Sequence, residues 1–504
     1  MSTSTVSPGE IITTVVDRVV RDRAARWLGR ANIQLPAFAE LALPCTIPGS
    51  RLAALQSIDP DRPDQANLFR INWHNDWSRK GFAAYPCHLV FPPALTGVPS
   101  PIVMALGCFF PMIGAHKVLA AYGCLIPRLI TGQFDPARHR AIWPSTGNYC
   151  RGGIALSRIL GCRAIAVLPQ GMSKERFDWL RTWVTSPEDI VRTPGSESNV
   201  KEIYDRCAEL ARDSANVVLN QFAEFGNYIA HYKCTGPALA RLFEAMQDQG
   251  GGLQLAAFVA ASGSAGTLGA GDHLKQRYGA RIVAAEASEC PTLLCNGFGE
   301  HNIQGIGDKH VPYIHNVMNT DVVVGVSDRS TGSLDLLFNS QAALAYLADR
   351  RHIDPELLSR LKYVGLSGIA NLVAAIKTAK RLELGEEDVL ITVATDGAAL
   401  YRSEREKFLA ANYPDGFDAV SAGEIFGQHL LGAVDNDVLE LTHSERTRIF
   451  NLGYYTWVEQ QGVSLETFQK RRSQKFWKEL REAASAWDVL IAEFNAVAGG
   501  EPAC

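Results

Sequence analysis

The sequence predicts an α/β protein in which parallel β-strands are covered by helices on both faces. Three observations predict this fold. Between residues 102 and 400, short apolar runs alternate with stretches of helical spacing. The runs are apolar at successive positions, which is typical of strands buried on both faces. Turns rich in glycine, serine and threonine join several runs to the helices that follow, as in repeated strand–helix units.

The elements follow from these patterns. The candidate strands are residues 164–168, 217–219, 255–259, 280–285 and 389–393. The candidate helices are residues 152–160, 236–247, 266–278 and 369–382. Folds of this kind bind ligands at the carboxyl ends of their strands, where loops meet helix N-termini. We therefore expect the functional residues in the turns between these elements.

The alternation divides the chain into three parts. Residues 1–100 give mixed signals, with a helical pattern over 14–28, and are expected to form an N-terminal extension that packs on the core. Residues 101–405 are expected to form the core. Strand signals stop after Tyr401, so residues 406–504, including 436–441, are expected to form a helical C-terminal extension.

Composition narrows the class of protein. The 504 residues are 47% hydrophobic and 20% charged, with a net charge of −4. This balance gives no reason to expect a nucleic-acid or anionic-membrane partner. No apolar run is long enough to span a bilayer, and residues 1–9 lack the features of a secretory signal. Eleven scattered cysteines without a Cys-x-x-Cys pair predict reduced thiols in a cytoplasmic protein and no metal site.

Lys117 is the first candidate functional residue. It ends the segment Pro-Met-Ile-Gly-Ala-His-Lys at 111–117. A lysine amine is nucleophilic only when unprotonated, and burial lowers its pKa toward neutrality. The small and apolar neighbours favour such a desolvated lysine at a helix start. A lysine lying along a helix surface with its charge in water remains an alternative. We expect the adjacent His116 to be exposed.

Two turns before helices offer backbone N–H groups to anions. The turn Pro-Ser-Thr-Gly-Asn at 144–148 suits a carboxylate, with Asn148 free to donate to a ring oxygen. The turn Gly-Ser-Ala-Gly-Thr at 263–267 suits a phosphate, because its glycines let several N–H groups face one anion. Both turns are also compatible with plain helix caps. The second is compatible with a nucleotide phosphate, although the complete dinucleotide-binding and P-loop patterns are absent.

A further turn, Gly-Leu-Ser-Gly at 365–368, places Ser367 before another helix. If the turn faced a cofactor with a pyridine ring, the neutral Ser367 hydroxyl would leave the ring nitrogen unprotonated. This would favour chemistry at the β-carbon of a bound amino acid. A helix cap is the alternative, and Asp396 competes for a polar role nearby. A lysine, a carboxylate loop and a phosphate cradle are together the protein's contribution to pyridoxal 5'-phosphate (PLP) chemistry.

The order of these motifs resembles the fold-type II PLP enzymes of the tryptophan synthase β superfamily, specifically the cysteine synthase and cystathionine β-synthase branch. The resemblance covers roughly residues 106–403. Segments 167–176, 220–227 with 231–237, and 301–307 extend it; the last reads His-Asn-Ile-Gln-Gly-Ile-Gly, where the family has "HKIQGIG". The resemblance implies a core of two parallel-sheet α/β subdomains. It also implies a homodimer, as is usual in the family, and an amino-acid substrate.

The resemblance also implies a role for each matching residue. Lys117 would hold PLP as the internal aldimine and then shuttle a proton at Cα. Asn148 would hydrogen-bond the 3′-oxygen of the ring, and Ser367 would meet its nitrogen. The phosphate would be held by Gly263, Ser264, Ala265, Gly266 and Thr267. The substrate would be bound by Ser145, Thr146, Gly147 and Gln221, which hold its carboxylate, and by Gly305, which lines the pocket.

The chain departs from the family's pattern at several positions. Tyr149 stands where the family has a small residue, which suggests a substrate other than O-acetylserine. Ala265 replaces a glycine of the phosphate loop, and His116 precedes the lysine. The family has two serines where this chain has Ser367 alone, so the match there is open by one position.

The function implied by the resemblance is β-elimination or β-replacement on an L-amino acid with a leaving group at Cβ, through an aminoacrylate intermediate. The enzyme would act as a lyase like a cysteine desulfhydrase or as a transferase like a cysteine synthase, and the same residues serve both. Two alternatives remain: a catalytically altered PLP-fold protein with a regulatory or assembly role, and an α/β enzyme that binds a nucleotide at residues 263–267.

Overall fold

The structure is a computed structural model, and it describes residues 11–499. In this part of the chain the protein contains two β-sheets covered by helices. Its strands are β1 (His88–Phe91), β2 (Ile102–Leu106), β3 (Arg140–Pro144), β4 (Arg163–Pro169), β5 (Ile190–Thr193), β6 (Asn216–Val218), β7 (Gln254–Ala261), β8 (Arg281–Ala287), β9 (Val322–Val326), β10 (Asp388–Ala394) and β11 (Val438–Glu440). Residues 1–9, which bear on the expected absence of a secretory signal, lie outside the described residues.

Helices cover both faces of the sheets and form the terminal regions. They are α1 (Arg18–Arg30), α2 (Phe38–Ala42), α3 (Gly49–Leu55), α4 (Pro93–Thr96), α5 (Lys117–Ile130), α6 (Asn148–Leu160), α7 (Lys174–Trp183), α8 (Val200–Leu210), α9 (Phe225–Ala230), α10 (Gly236–Gln249), α11 (Leu268–Tyr278), α12 (Thr292–Cys295), α13 (Asp328–Asn339), α14 (Gln341–Arg351), α15 (Pro355–Arg360), α16 (Leu366–Arg381), α17 (Arg402–Asn412), α18 (Ala419–Phe426), α19 (His443–Tyr454), α20 (Leu465–Lys470) and α21 (Gln474–Gly499).

The larger sheet has the strand order β1-β2-β10-β7-β8-β9-β11, and the smaller sheet has the order β5-β4-β3-β6. All pairs in the smaller sheet are parallel. In the larger sheet only the two edge pairs, β1 with β2 and β9 with β11, are antiparallel. The expected α/β fold with two parallel-sheet parts is therefore confirmed.

All five predicted strands are present, as β4, β6, β7, β8 and β10, and the four predicted helices are α6, α10, α11 and α16. The central strands were predictable because both of their faces are buried, which makes every position apolar. Segment 436–441 was expected to be helical, and this is wrong. Val438 pairs with Val324 on the free edge of β9, and this long-range pairing overrides the local preference.

The terminal regions pack on each other and on the core. Arg21 of α1 is buried and donates to the Ile130 carbonyl of α5 at 3.0 Å and to the Glu493 carboxylate of α21 at 3.2 Å. The Asp488 carboxylate of α21 accepts from the Phe38 N–H of α2 at 2.6 Å. Residues from both ends therefore share one buried cluster with the core. The boundaries near residues 100 and 405 stay a prediction.

Helices within residues 11–499 are all too short or too polar to cross a membrane.

Candidate active site

The carboxyl ends of the parallel strands of both sheets point to one region. Loops after β2, β7 and β10 approach it from the larger sheet, and loops after β3, β5 and β6 approach it from the smaller one. Lys117, after β2, joins the two sides. Its Nζ lies 3.3 Å from Gln221 Oε1, after β6, and 3.1 Å from Ser264 Oγ, after β7. The lysine therefore bridges the sheets where this fold class binds ligands.

The surroundings of Lys117 favour the unprotonated amine. Burial lowers its pKa to about 8, against an opposing effect of the Asp308 and Glu197 carboxyls. The preceding loop is anchored to the residue that follows β10, because the His116 N–H donates to the Thr395 carbonyl at 3.2 Å. Lys117 is therefore a desolvated lysine at a helix start, and the interpretation as a solvated surface lysine is wrong.

A small cavity in front of Lys117 is lined mainly by the residues that the sequence singled out. It is lined by Lys117, Gly263, Ser264, Ala265, Thr267 and Gly305, with Ala260, Ala261, Asn371, Val393 and Thr395. Space here is tight: a Cβ added to Gly263 would lie 2.7 Å from the Gly305 carbonyl oxygen. Ala265 adopts the left-handed conformation, with φ of 63°, that a glycine would adopt without strain.

The residues around the cavity are of the types that hold PLP. The loop 263–267 leads directly into α11, whose first N–H groups have no partner within the helix and attract a phosphate. At the other side, Ser367 Oγ and Asn371 Oδ1 are buried and have no hydrogen-bond partner among residues 11–499. Ser367 lies beside the cavity, because a Cβ added to Gly305 would lie 3.9 Å from Ser367 Oγ. A ring with a polar nitrogen would satisfy such an orphaned hydroxyl.

The turn at 145–147 is held by a buried polar network. Ser145 Oγ accepts from the Gly147 N–H at 3.0 Å, and the Thr146 hydroxyl donates to the Glu197 carboxyl. Gly147 has a φ of 152°, and a Cβ there would lie 2.5 Å from Arg176 Cδ. The Arg176 guanidinium is thus packed against the turn, where its charge favours a bound carboxylate.

Asn148 begins α6, and its amide is occupied by neighbours. Its Nδ2 donates to Asp396 Oδ2 at 2.6 Å, and its Oδ1 accepts from Arg151 at 2.9 Å. Tyr401 donates to the same Asp396 oxygen at 2.7 Å. Asp396 therefore orients Asn148. The contact of Asn148 with the 3′-oxygen of the cofactor stays a prediction.

The surroundings of two residues differ from expectation. His116 is 1% exposed, and the expectation of an exposed histidine is wrong. Its ring packs between Trp73 and His231, with centroids at 5.4 and 5.1 Å, and burial lowers its pKa well below the usual value. Tyr149 is buried against Trp143, with its hydroxyl on the Leu219 carbonyl at 3.0 Å. Because the Tyr149 side chain lies in the core, its size gives no reason to expect a substrate other than O-acetylserine.

Two buried carboxyls near Lys117 were not predicted from the sequence. Glu197 lies in the loop after β5 and Asp308 directly follows the segment 301–307. Burial raises the pKa of Glu197 to about 7, and burial together with the Glu197 charge raises the pKa of Asp308 well above its usual value. For Asp308, the sequence offers one indication, which is its position directly after the segment 301–307 that resembles the family. Glu197 lies in a polar turn that looks solvent-exposed in the sequence.

Comparison with known proteins agrees with the site. The family model for pyridoxal-phosphate dependent enzymes matches residues 96–396. The chain is 31% identical over 298 residues to a probable cysteine synthase from Bacillus subtilis (strain 168), covering 58% of this chain and 86% of the relative. The chain therefore belongs to the pyridoxal-phosphate dependent enzyme family, and PLP is its cofactor.

Solved structures share the fold. A hydrogen sulfide-producing enzyme from Fusobacterium nucleatum is 19% identical with a TM-score of 0.52, covering 66% of this chain and 98% of that chain. An O-acetylserine dependent cystathionine beta-synthase from Helicobacter pylori is 24% identical with a TM-score of 0.51, covering 63% and 94%. At these identities the likeness concerns the fold alone, and it leaves about a third of this chain uncovered.

Proposed function

We propose that the protein catalyses β-elimination or β-replacement on an L-amino acid that carries a leaving group at Cβ. The observation that carries this proposal is Lys117, a desolvated amine that lies between the loops of both sheets and lines a cavity with the phosphate loop. Membership of the PLP-dependent family and the cysteine synthase relatives support it. A regulatory or assembly role is not favoured, because the lysine and the small-residue loops are retained together.

The residues of the cavity would hold PLP in one orientation. Its phosphate would lie on the loop 263–267, and its ring nitrogen would face Ser367. When bound, PLP supplies an electron sink for the pair of electrons released at Cα. Because Ser367 is a neutral hydroxyl, it does not hold a proton on that nitrogen, and this favours loss of a group from Cβ.

The chain's own residues bind and orient the substrate. Ser145, Thr146 and Gly147 would hold the substrate carboxylate, with the Arg176 charge behind them and Gln221 beside them. Gln221 Oε1 accepts from Lys117 Nζ and so directs the amine. Lys117 takes the proton from Cα, for which an amine with a pKa of about 8 is well matched to neutral pH.

Elimination and replacement diverge after the leaving group departs, and both are chemically open to this site. One sequence relative is described as a probable cysteine synthase, and one solved structure of similar fold is described as a hydrogen sulfide-producing enzyme. We further propose a cytoplasmic homodimer that acts on a sulfur-containing or O-acetylated amino acid, in line with the relative described as a probable cysteine synthase.

Product analysis tests this function. We expect L-cysteine, or O-acetyl-L-serine with sulfide, to be cleaved at Cβ by the PLP-loaded protein. Pyruvate, ammonia and sulfide are measured in the same reaction. Formation of pyruvate with ammonia identifies a lyase. A new β-substituted amino acid without pyruvate identifies a transferase. Absence of every one of these products with both substrates would contradict the proposed function.

A further inference from the structure

Two carboxyls near Lys117 have no role in the chemistry described so far. Glu197 is 2% exposed and Asp308 is 5% exposed. Neither forms an ion pair within 4.0 Å among residues 11–499. Glu197 Oε2 and Asp308 Oδ2 are buried and have no hydrogen-bond partner in the same part of the chain. Buried carboxyl oxygens left without partners are costly, and they persist in native proteins where a ligand or a reaction uses them.

The position of the pair connects it to the substrate. Glu197 Oε1 accepts a hydrogen bond from Thr146, which belongs to the proposed carboxylate loop, so Oε2 is the oxygen left free. Asp308 is three residues beyond Gly305, which lines the cavity. The charged groups that face the pair are Lys117 and Arg176, and the two carboxyls also face each other.

Burial favours the protonated form of each carboxyl in the pair. Burial raises the pKa of Glu197 to about 7, although Arg176 and the Thr146 hydroxyl oppose this change. Burial and the Glu197 charge raise the pKa of Asp308 well above its usual value, although Lys117 opposes it. Two neighbouring carboxyls that share one proton can both donate and accept it.

We propose that Glu197 and Asp308 form a proton-relay pair that protonates the group leaving Cβ and deprotonates the nucleophile that replaces it. The inference rests on the proposed function and deepens it. It assigns Lys117 to the proton at Cα and the carboxyl pair to the proton at the β-substituent. Two separate centres would let the site handle both protons without passing them through one amine.

The steps balance without an oxidant or a reductant. As the bond from Cβ to the leaving group breaks, the leaving group takes the bonding electron pair and the carboxyl proton, and a carboxylate remains. In replacement, the nucleophile forms its bond to Cβ and returns its proton to that carboxylate. In elimination, Lys117 releases the proton that it took from Cα to the solvent, and the carboxylate takes one proton back from the solvent, so that no proton is gained or lost.

Leaving groups that differ in their need for a proton test the relay. Chloride leaves β-chloro-L-alanine without a proton, whereas the thiol of L-cysteine leaves more readily when protonated. We expect Glu197→Gln and Asp308→Asn to lower kcat for L-cysteine by ~10²-fold or more, the range of general acid catalysis. Turnover of β-chloro-L-alanine should fall by less than about tenfold, because the variants lack only the proton for the leaving group and chloride does not need one.

The control is Glu286→Gln. Glu286 is also buried, with a pKa raised by burial to about 7, but it accepts from the Leu293 and Leu294 N–H groups at 2.9 and 2.8 Å, outside the cavity. Its substitution should leave the ratio of the two rates unchanged. An equal loss with both substrates in Glu197→Gln and Asp308→Asn would overturn the relay, because a merely structural role does not distinguish leaving groups.

A measurement on the wild-type protein avoids any risk of misfolded variants. The solvent deuterium isotope effect on kcat should be larger with L-cysteine than with β-chloro-L-alanine, and equal effects contradict the relay. The same assay separates the two claims. Failure of the wild type to turn over β-chloro-L-alanine contradicts the proposed function, whereas turnover without leaving-group dependence contradicts only the relay.

Discussion

Replacing Lys117 with alanine is expected to reduce the turnover of L-cysteine or O-acetyl-L-serine by ~10²–10⁴-fold or more, because the variant lacks the general base at Cα. The variant also lacks the amine that forms the covalent link to the cofactor. The measurement is kcat from product release, with PLP added in excess so that weaker cofactor binding does not limit the rate.

A second buried lysine provides a matched control. Lys377 of α16 has its Nζ 2.7 Å from the Gly325 carbonyl, and burial lowers its pKa as well. It lies outside the cavity lining. Lys377→Met should therefore keep kcat within a few-fold of the wild type. Retention of more than a tenth of the activity in Lys117→Ala would show that another group removes the Cα proton.

Replacing Asp272 with alanine is expected to lower the free energy of unfolding by about 3–5 kcal/mol, as is typical when one partner of a buried ion pair is removed. Asp272 is buried on α11, and its carboxylate accepts from Arg481 of α21 at 2.7 Å. It also accepts from Asn316 at 2.7 Å and from Asn319 at 2.6 Å. The variant would leave these donors and the guanidinium charge without their acceptor.

Urea unfolding of the PLP-loaded protein measures this loss. Because α11 begins directly after the phosphate loop, the variant should also bind PLP more weakly. The exposed pair Glu466 and Lys470 gives the control, since Glu466→Ala removes an ion pair that water already screens. A loss below about 1 kcal/mol for Asp272→Ala, within the range of surface pairs, would mean that this network does not hold the C-terminal helix to the core.

The sequence predicted those features that depend on local pattern. Strands β7, β8 and β10 are apolar throughout because they are central in a sheet covered on both faces, and the loop 263–267 stands out because only small residues fit there. The order of motifs also located Lys117 and Gln221, and these residues meet in the structure.

Features that depend on distant partners could not be predicted in this way. Strand β11 exists because β9 offers it an edge. His116 is buried by Trp73 and His231, which are far from it in the chain. Glu197 is buried where the loops of the two sheets meet, and its own segment resembles an ordinary polar turn.

The most direct test of the account is to identify the lysine that carries the cofactor. The PLP-loaded protein is treated with sodium borohydride, which fixes a lysine-bound PLP irreversibly to its lysine, and is then digested and analysed by mass spectrometry. We expect the phosphopyridoxyl mass on Lys117, in the segment that begins α5, and no such mass in Lys117→Ala. Modification of a different lysine in the wild type, or none after PLP has been added, would contradict it.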